Sequence, residues 1–111
     1  MSGTVFVTQE NPKVDTVSAR SWGTLDPLTS PFDQIHLNPG RLVSQIKRKL
    51  RGYSDDDWLL CMGDPAIIGV AFAVAADANR GRVNLLKWDK MEKIYYPVKI
   101  RVRGGIEELN P

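Results

Sequence analysis

The sequence predicts a single α/β domain: a mixed, mostly parallel sheet of four or five strands, two helices and a C-terminal β-hairpin. Three observations carry this reading. Asn38-Pro39 and Asp64-Pro65 are two helix starts of one design, a capping side chain followed by proline at the first helical position. Apolar, β-rich runs flank both helices, so strand and helix alternate. Near the C-terminus, two strand-like runs are joined by the short polar segment 89–93. A chain of 111 residues, 42% of them apolar, suits one domain over 1–111 with one core.

The elements follow in order. Thr4-Val5-Phe6-Val7-Thr8 is β-branched and aromatic and forms the first predicted strand, stopped by Pro12. Residues 13–38 show weak periodicity, with Pro27, Pro31 and scattered Trp22, Leu25, Leu28, Phe32 and Ile35. They are expected to form an irregular but ordered loop, apart from a short strand at 14–17. Leu42, Val43, Ile46 and Leu50 then recur at helical spacing, so the first helix spans about 39–51, with Gly52 as a left-handed cap. Residues 57–62 form the next predicted strand, apolar at consecutive positions from Trp58 on, as in a strand buried on both faces of a parallel sheet. The second helix runs to about Ala78 and leaves through Asn79-Arg80-Gly81. It is apolar nearly all round and needs cover on several sides, which points to a homodimer through this helix. Strands at 82–88 and 94–103 complete the sheet, the last antiparallel and at an edge because of Pro97. In it Ile94, Tyr96, Val98, Ile100 and Val102 make the expected buried row, and Tyr95, Pro97, Lys99, Arg101 and Arg103 the wet one. Residues 104–111 form a polar tail.

Composition narrows the function classes. One cysteine, Cys61, allows no internal disulfide and fits a reducing compartment. The longest apolar run, 66–76, is too short to span a bilayer, and no signal peptide is read at the N-terminus, so a cytoplasmic protein with no membrane role is expected. The net charge of +2 hides two basic segments: Arg41, Lys47, Arg48, Lys49 and Arg51 with no acid among 36–53, and eight basic residues against Asp89 and Glu92 in 80–103.

Four candidate sites emerge. The Gly63-Asp64-Pro65-Ala66 turn resembles an anion site at a helix start. Its glycines match no nucleotide fingerprint, and Asp64 occupies the place of a phosphate, so a capped helix is the better reading, with Gly69 allowing close helix–sheet packing. The carboxyl ends of the parallel strands would gather Gln9, Asn11, Asp64, Asp89 and Lys90 into a ligand crevice, where Glu10, Asp64 and Asp89 could hold magnesium. Each of those acids also has a local reason in a turn or cap, and no metal or cofactor is expected. Lys99, Arg101 and Arg103 lie about 7 Å apart along one strand face. With Lys47 and Arg48, and Tyr95 for stacking, they form a candidate nucleic-acid surface. Trp22, Trp88 and Tyr95, where exposed, would mark a protein interface. His36 is the one histidine and has no nucleophile motif beside it, so no catalytic residue is assigned.

Several stretches carry a resemblance: Val5-Phe6-Val7-Thr8-Gln9-Glu10-Asn11-Pro12, Tyr53-Ser54-Asp55-Asp56-Asp57-Trp58-Leu59-Leu60, Gly63-Asp64-Pro65-Ala66-Ile67-Ile68-Gly69, Leu85-Leu86-Lys87-Trp88-Asp89-Lys90 and Tyr95-Tyr96-Pro97-Val98. In these the chain resembles small proteins of tailed bacteriophages, including cyanobacterial phages. The resemblance brings no catalytic residues with it. It implies a phage-encoded accessory protein in the host cytoplasm, or a minor virion component. The functional expectation is a non-catalytic protein that binds a host or viral protein. Nucleic-acid binding and a small-ligand or metal-dependent enzyme at the strand tips are the alternatives.

Overall fold

The computed structural model describes residues 3–103. The chain runs β1 (Gly3–Val7), a 3-10 helix (Val17–Trp22), β2 (Gly23–Pro27), α1 (Pro39–Lys49), β3 (Trp58–Leu60), α2 (Pro65–Ala78), β4 (Arg82–Asp89) and β5 (Ile94–Arg101). The five strands form one sheet in the order β2-β1-β3-β4-β5. β1 is parallel to β2 and β3, β3 is parallel to β4, and β5 returns antiparallel beside β4. The α/β class, the parallel core and the terminal hairpin therefore stand as the sequence predicts. The polar tail at 104–111 lies outside the described residues.

Both helix starts form by the expected chemistry. The Asn38 side chain accepts from the Arg41 amide and the Asp64 carboxylate from the Ala66 amide, each with proline next in the chain. The sheet is covered on both faces. Leu42, Ile46, Ile67, Ala71 and Ala75 of the helices pack with Phe6, Leu59 and Val83 on one face. On the other, Val5, Val7, Leu60, Leu86 and Tyr95 pack with Ala19 of the 3-10 helix.

Five expectations need correction. Residues 13–38 are not wholly irregular: they hold the 3-10 helix and β2, which pairs with β1 along its whole length. No strand forms at 14–17; Val17 begins the 3-10 helix instead. The first helix ends at Lys49 with Leu50 as its cap, and Gly52 has no positive φ, because the chain turns directly into the Tyr53 amide's bond to Leu50 O (3.0 Å). Gly69 faces open space, so it relieves no contact with the sheet. In α2 the outward positions carry small side chains, Ala66, Gly69 and Ala73, which expose little apolar area per residue. The fifth correction concerns β5. Tyr95 is buried, while Ile94 and Val102 of the expected inner row are more than half exposed. The 3-10 helix and the segment before it cover the Tyr95 face, and neither α1 nor α2 packs extensively against β5.

Candidate functional site

Strand order reverses between β1 and β3, the place where open α/β sheets usually hold ligands. Here the chain's own side chains bridge that crevice and leave a smaller depression of about 390 Å³, lined by Gln9, Glu10, Asn11, Phe32 and Gly63 among others. Thr8 Oγ1 accepts from the Met62 amide (2.8 Å) and donates to Met62 O, and the Thr8 amide donates to Leu60 O (3.1 Å). Gln9, nearly buried, accepts from the Asp64 amide with Oε1 (2.8 Å). Its Nε2 donates to Ser30 O (3.1 Å) and Asp33 O (3.0 Å). Gly63 has a φ of 95°, and a Cβ there would run into the Gln9 side chain, so glycine is required where the two tips meet. The other residues expected at this crevice have local partners. Asn11 Oδ1 accepts from the Lys13 amide (3.0 Å), and Asp89 Oδ1 accepts from the Met91 (2.9 Å) and Glu92 (3.2 Å) amides of the hairpin turn. Lys90 is exposed in that turn. Among the described residues no three His, Cys, Asp or Glu side chains gather as a metal set, so Glu10, Asp64 and Asp89 do not form one.

The basic residues do not share a surface. Lys99 and Arg101 alternate in step with Tyr95 and lie on the 3-10-helix face of the sheet. Lys47 and Arg48 are exposed on α1, on the opposite face. Arg103 is exposed just beyond β5, its Cβ lying against Gly81. Arg41 pairs with Asp33 (3.0 Å), Lys49 with Asp26 (2.9 Å) and Arg82 with Asp55 (2.9 Å).

The pKa shifts point away from neutrality. The Ser30 amide, joined by Arg41, holds the Asp33 carboxyl below its ordinary value, and hydrogen bonds from Arg82 and Asn79 do the same for Asp55. Burial pushes the Cys61 thiol up to about 11 and the Tyr53 phenol up to about 12, and it raises Tyr95 as well.

An open site lies one strand further along the sheet. β3 pairs with β4 only at Leu59↔Leu85 and Leu60↔Leu86, whereas β4 continues to Asp89. Met62 bonds to the Thr8 hydroxyl that follows β1, and beyond Leu60 the chain leaves β4. Between them is a groove of about 940 Å³, with Leu60, Met62, Leu86, Trp88, Tyr95 and Val98 among its lining residues. Val14, Asp15 and Ser18 close one side, and Lys13, Lys87 and Lys93 add three cationic side chains. Its volume falls at the upper end of the range for ligand pockets, about 300–1,000 Å³. Trp88 is 41% exposed and leans on Tyr95 (centroids 4.9 Å apart), whose hydroxyl reaches Asp15 O (3.5 Å).

Of the three aromatics expected at an interface, the structure thus brings Trp88 and Tyr95 together in this groove. Trp22 lies elsewhere, edge-on against Trp58 (5.0 Å). Sequence reasoning missed Leu60, Met62, Leu86 and the lysines. Only the exposed tryptophan before a hairpin turn could have signalled them.

These features define a small α/β protein whose sheet is bridged by side chains at its topological switch and carries its larger groove beside β4. The family model for the Phage Pam3 gp32-like protein matches residues 3–102, and the chain belongs to that family. The likeness to phage proteins read from the sequence is borne out at that level. Nothing among curated proteins or solved structures matches the chain. No helix among the described residues is long and apolar enough to cross a membrane.

Proposed function

We propose that this small phage protein acts by binding a protein partner, host or viral, and that the groove between β3 and β4 is where the partner docks. The observation that carries this is the groove itself: an apolar depression with a half-exposed tryptophan, larger than the bridged crevice at β1/β3. A non-catalytic role is supported by the titratable groups. The five with displaced pKa values each keep one protonation state near pH 7, which suits structure better than proton transfer. The nucleic-acid reading loses support because its two halves, Lys47 with Arg48 and Lys99 with Arg101, occupy opposite faces. Action in the host cytoplasm is part of the proposal.

The test is a comparative pull-down from phage-infected host lysate, with nuclease, using the wild-type chain, Trp88→Glu and Lys99→Glu/Arg101→Glu. A stoichiometric protein that survives nuclease, is lost with Trp88→Glu and is kept by the charge-reversed chain supports groove binding. Equal capture by wild type and Trp88→Glu contradicts it. Capture that vanishes with nuclease moves the function to nucleic acid.

A further inference from the structure

Resting on that reading of the groove, we propose that its occupant is an extended acidic peptide segment that adds as a short strand beside β4, at Lys87–Asp89. The first support is the backbone. Along a strand, alternate residues turn their N–H and C=O to alternate neighbours. In β4 the Asn84 amide donates to the Tyr53 hydroxyl (3.0 Å), on β3's side. Asp89 O accepts from the Lys93 amide (2.7 Å), and Gly81 O from the Val102 amide (2.8 Å), on β5's side. Even-numbered residues of β4 therefore face β3. Leu86 meets Leu60 there, but Trp88 faces the side that β3 has left and pairs with no β3 residue. Its N–H and C=O are a donor and an acceptor on the groove wall, ready for a strand that neither β3 nor β5 supplies.

The second support is charge. The groove lining holds Lys13, Lys87 and Lys93 against one acid, Asp15, whose Oδ1 already accepts from the Val17 amide (2.9 Å). Among the described residues none of the three lysines has a salt-bridge partner. The floor, by contrast, is apolar. A strand laid here would put one side chain on the face of Trp88 and Met62 and its two neighbours on the face of Lys87, since side chains alternate. The complementary sequence is therefore one large apolar residue flanked by acidic ones. The uncovered stretch of β4 is three residues long, about 10 Å, so the strand is short.

The probe is a capped pentapeptide, valine–glutamate–phenylalanine–glutamate–valine, titrated into the isotopically labelled chain and followed by NMR. The expected result is a shift of the Trp88 backbone and indole signals, and weaker binding by the same peptide with lysine in place of glutamate. Lys87→Glu/Lys93→Glu, both exposed positions, reverses that preference. N-methylation of alternate peptide residues in the frame facing β4 weakens binding about tenfold, the worth of one or two backbone hydrogen bonds, and the other frame does not. Equal binding by both frames overturns strand addition while leaving the groove as a docking site. Equal binding by the lysine peptide overturns the acidic partner. No shift at Trp88 overturns the inference as a whole, and the pull-down comparison then decides separately whether the groove binds anything.

Discussion

Two gaps beside β3 have opposite fates. At β1/β3, the expected binding place of the fold, Thr8 and Gln9 supply the hydrogen bonds that a ligand would otherwise make. At β3/β4, which no general rule singles out, nothing fills the gap and a groove remains. One contact links the two outcomes. Met62, bonded to the Thr8 hydroxyl, stands between the two gaps and also lines the groove. Strand order locates a crevice, but side chains at the strand tips decide whether it is free.

Changes at the closed gap should have the largest effects. Thr8→Val keeps the shape and removes the hydroxyl, leaving the Met62 amide and carbonyl without their partner. A loss of about 2–3 kcal/mol is expected in urea unfolding, since an unsatisfied buried polar group costs about 1–3 kcal/mol. An unchanged midpoint would mean that Thr8 does not hold Met62. Gln9→Ala removes the bonds to Asp64, Ser30 and Asp33 that involve the side-chain amide. About 2 kcal/mol is the expected cost, because the loop groups it frees lie closer to water. A crystal structure of that variant should show solvent between Gly63 and Ser30.

At the open gap the balance reverses. Trp88→Ala should cost only about 1 kcal/mol, the order of one aromatic pair, and yet abolish partner capture. A much larger loss of stability would make Trp88 a core residue and not a docking one. The smallest effect is chemical. Cys61 lines the groove with its thiol pKa at about 11, against 9.0 for the free group. Burial favours the neutral thiol, so its contribution to stability is complete below pH 9.0 and is lost as pH rises toward 11. At pH 8, alkylation by iodoacetamide should run about 100-fold slower in the folded chain than in urea. Equal rates would place the thiol in open solvent.

Much of the architecture was readable because its signals are local. Asn38-Pro39 and Asp64-Pro65 carry their own caps, and the β4–β5 hairpin carries its own turn. β2 was hidden because Gly23-Thr24-Leu25-Asp26-Pro27 has little strand propensity, and its pairing with β1 is a tertiary effect. The inner face of β5 reads wrongly from the sequence because Ile94, Val98 and Ile100, alternating with Lys99 and Arg101, assign Tyr95 to the wet row. Trp88, Asp15 and the 3-10 helix decide the matter from far along the chain. The groove was hidden for the same reason. Residues 57–62 read as one strand, but β3 spans only Trp58–Leu60, and Met62 bonds to a threonine more than fifty positions earlier in sequence.

Amide hydrogen exchange, resolved by residue, tests the contrast between the two gaps most directly. The Met62 and Asp64 amides, bound to Thr8 and Gln9, should exchange slowly. Trp88, in the middle of a strand, should exchange far faster than Lys87, whose amide faces β5. Slow exchange at Trp88, or fast exchange at Met62 and Asp64, would contradict the assignment of one closed and one open gap.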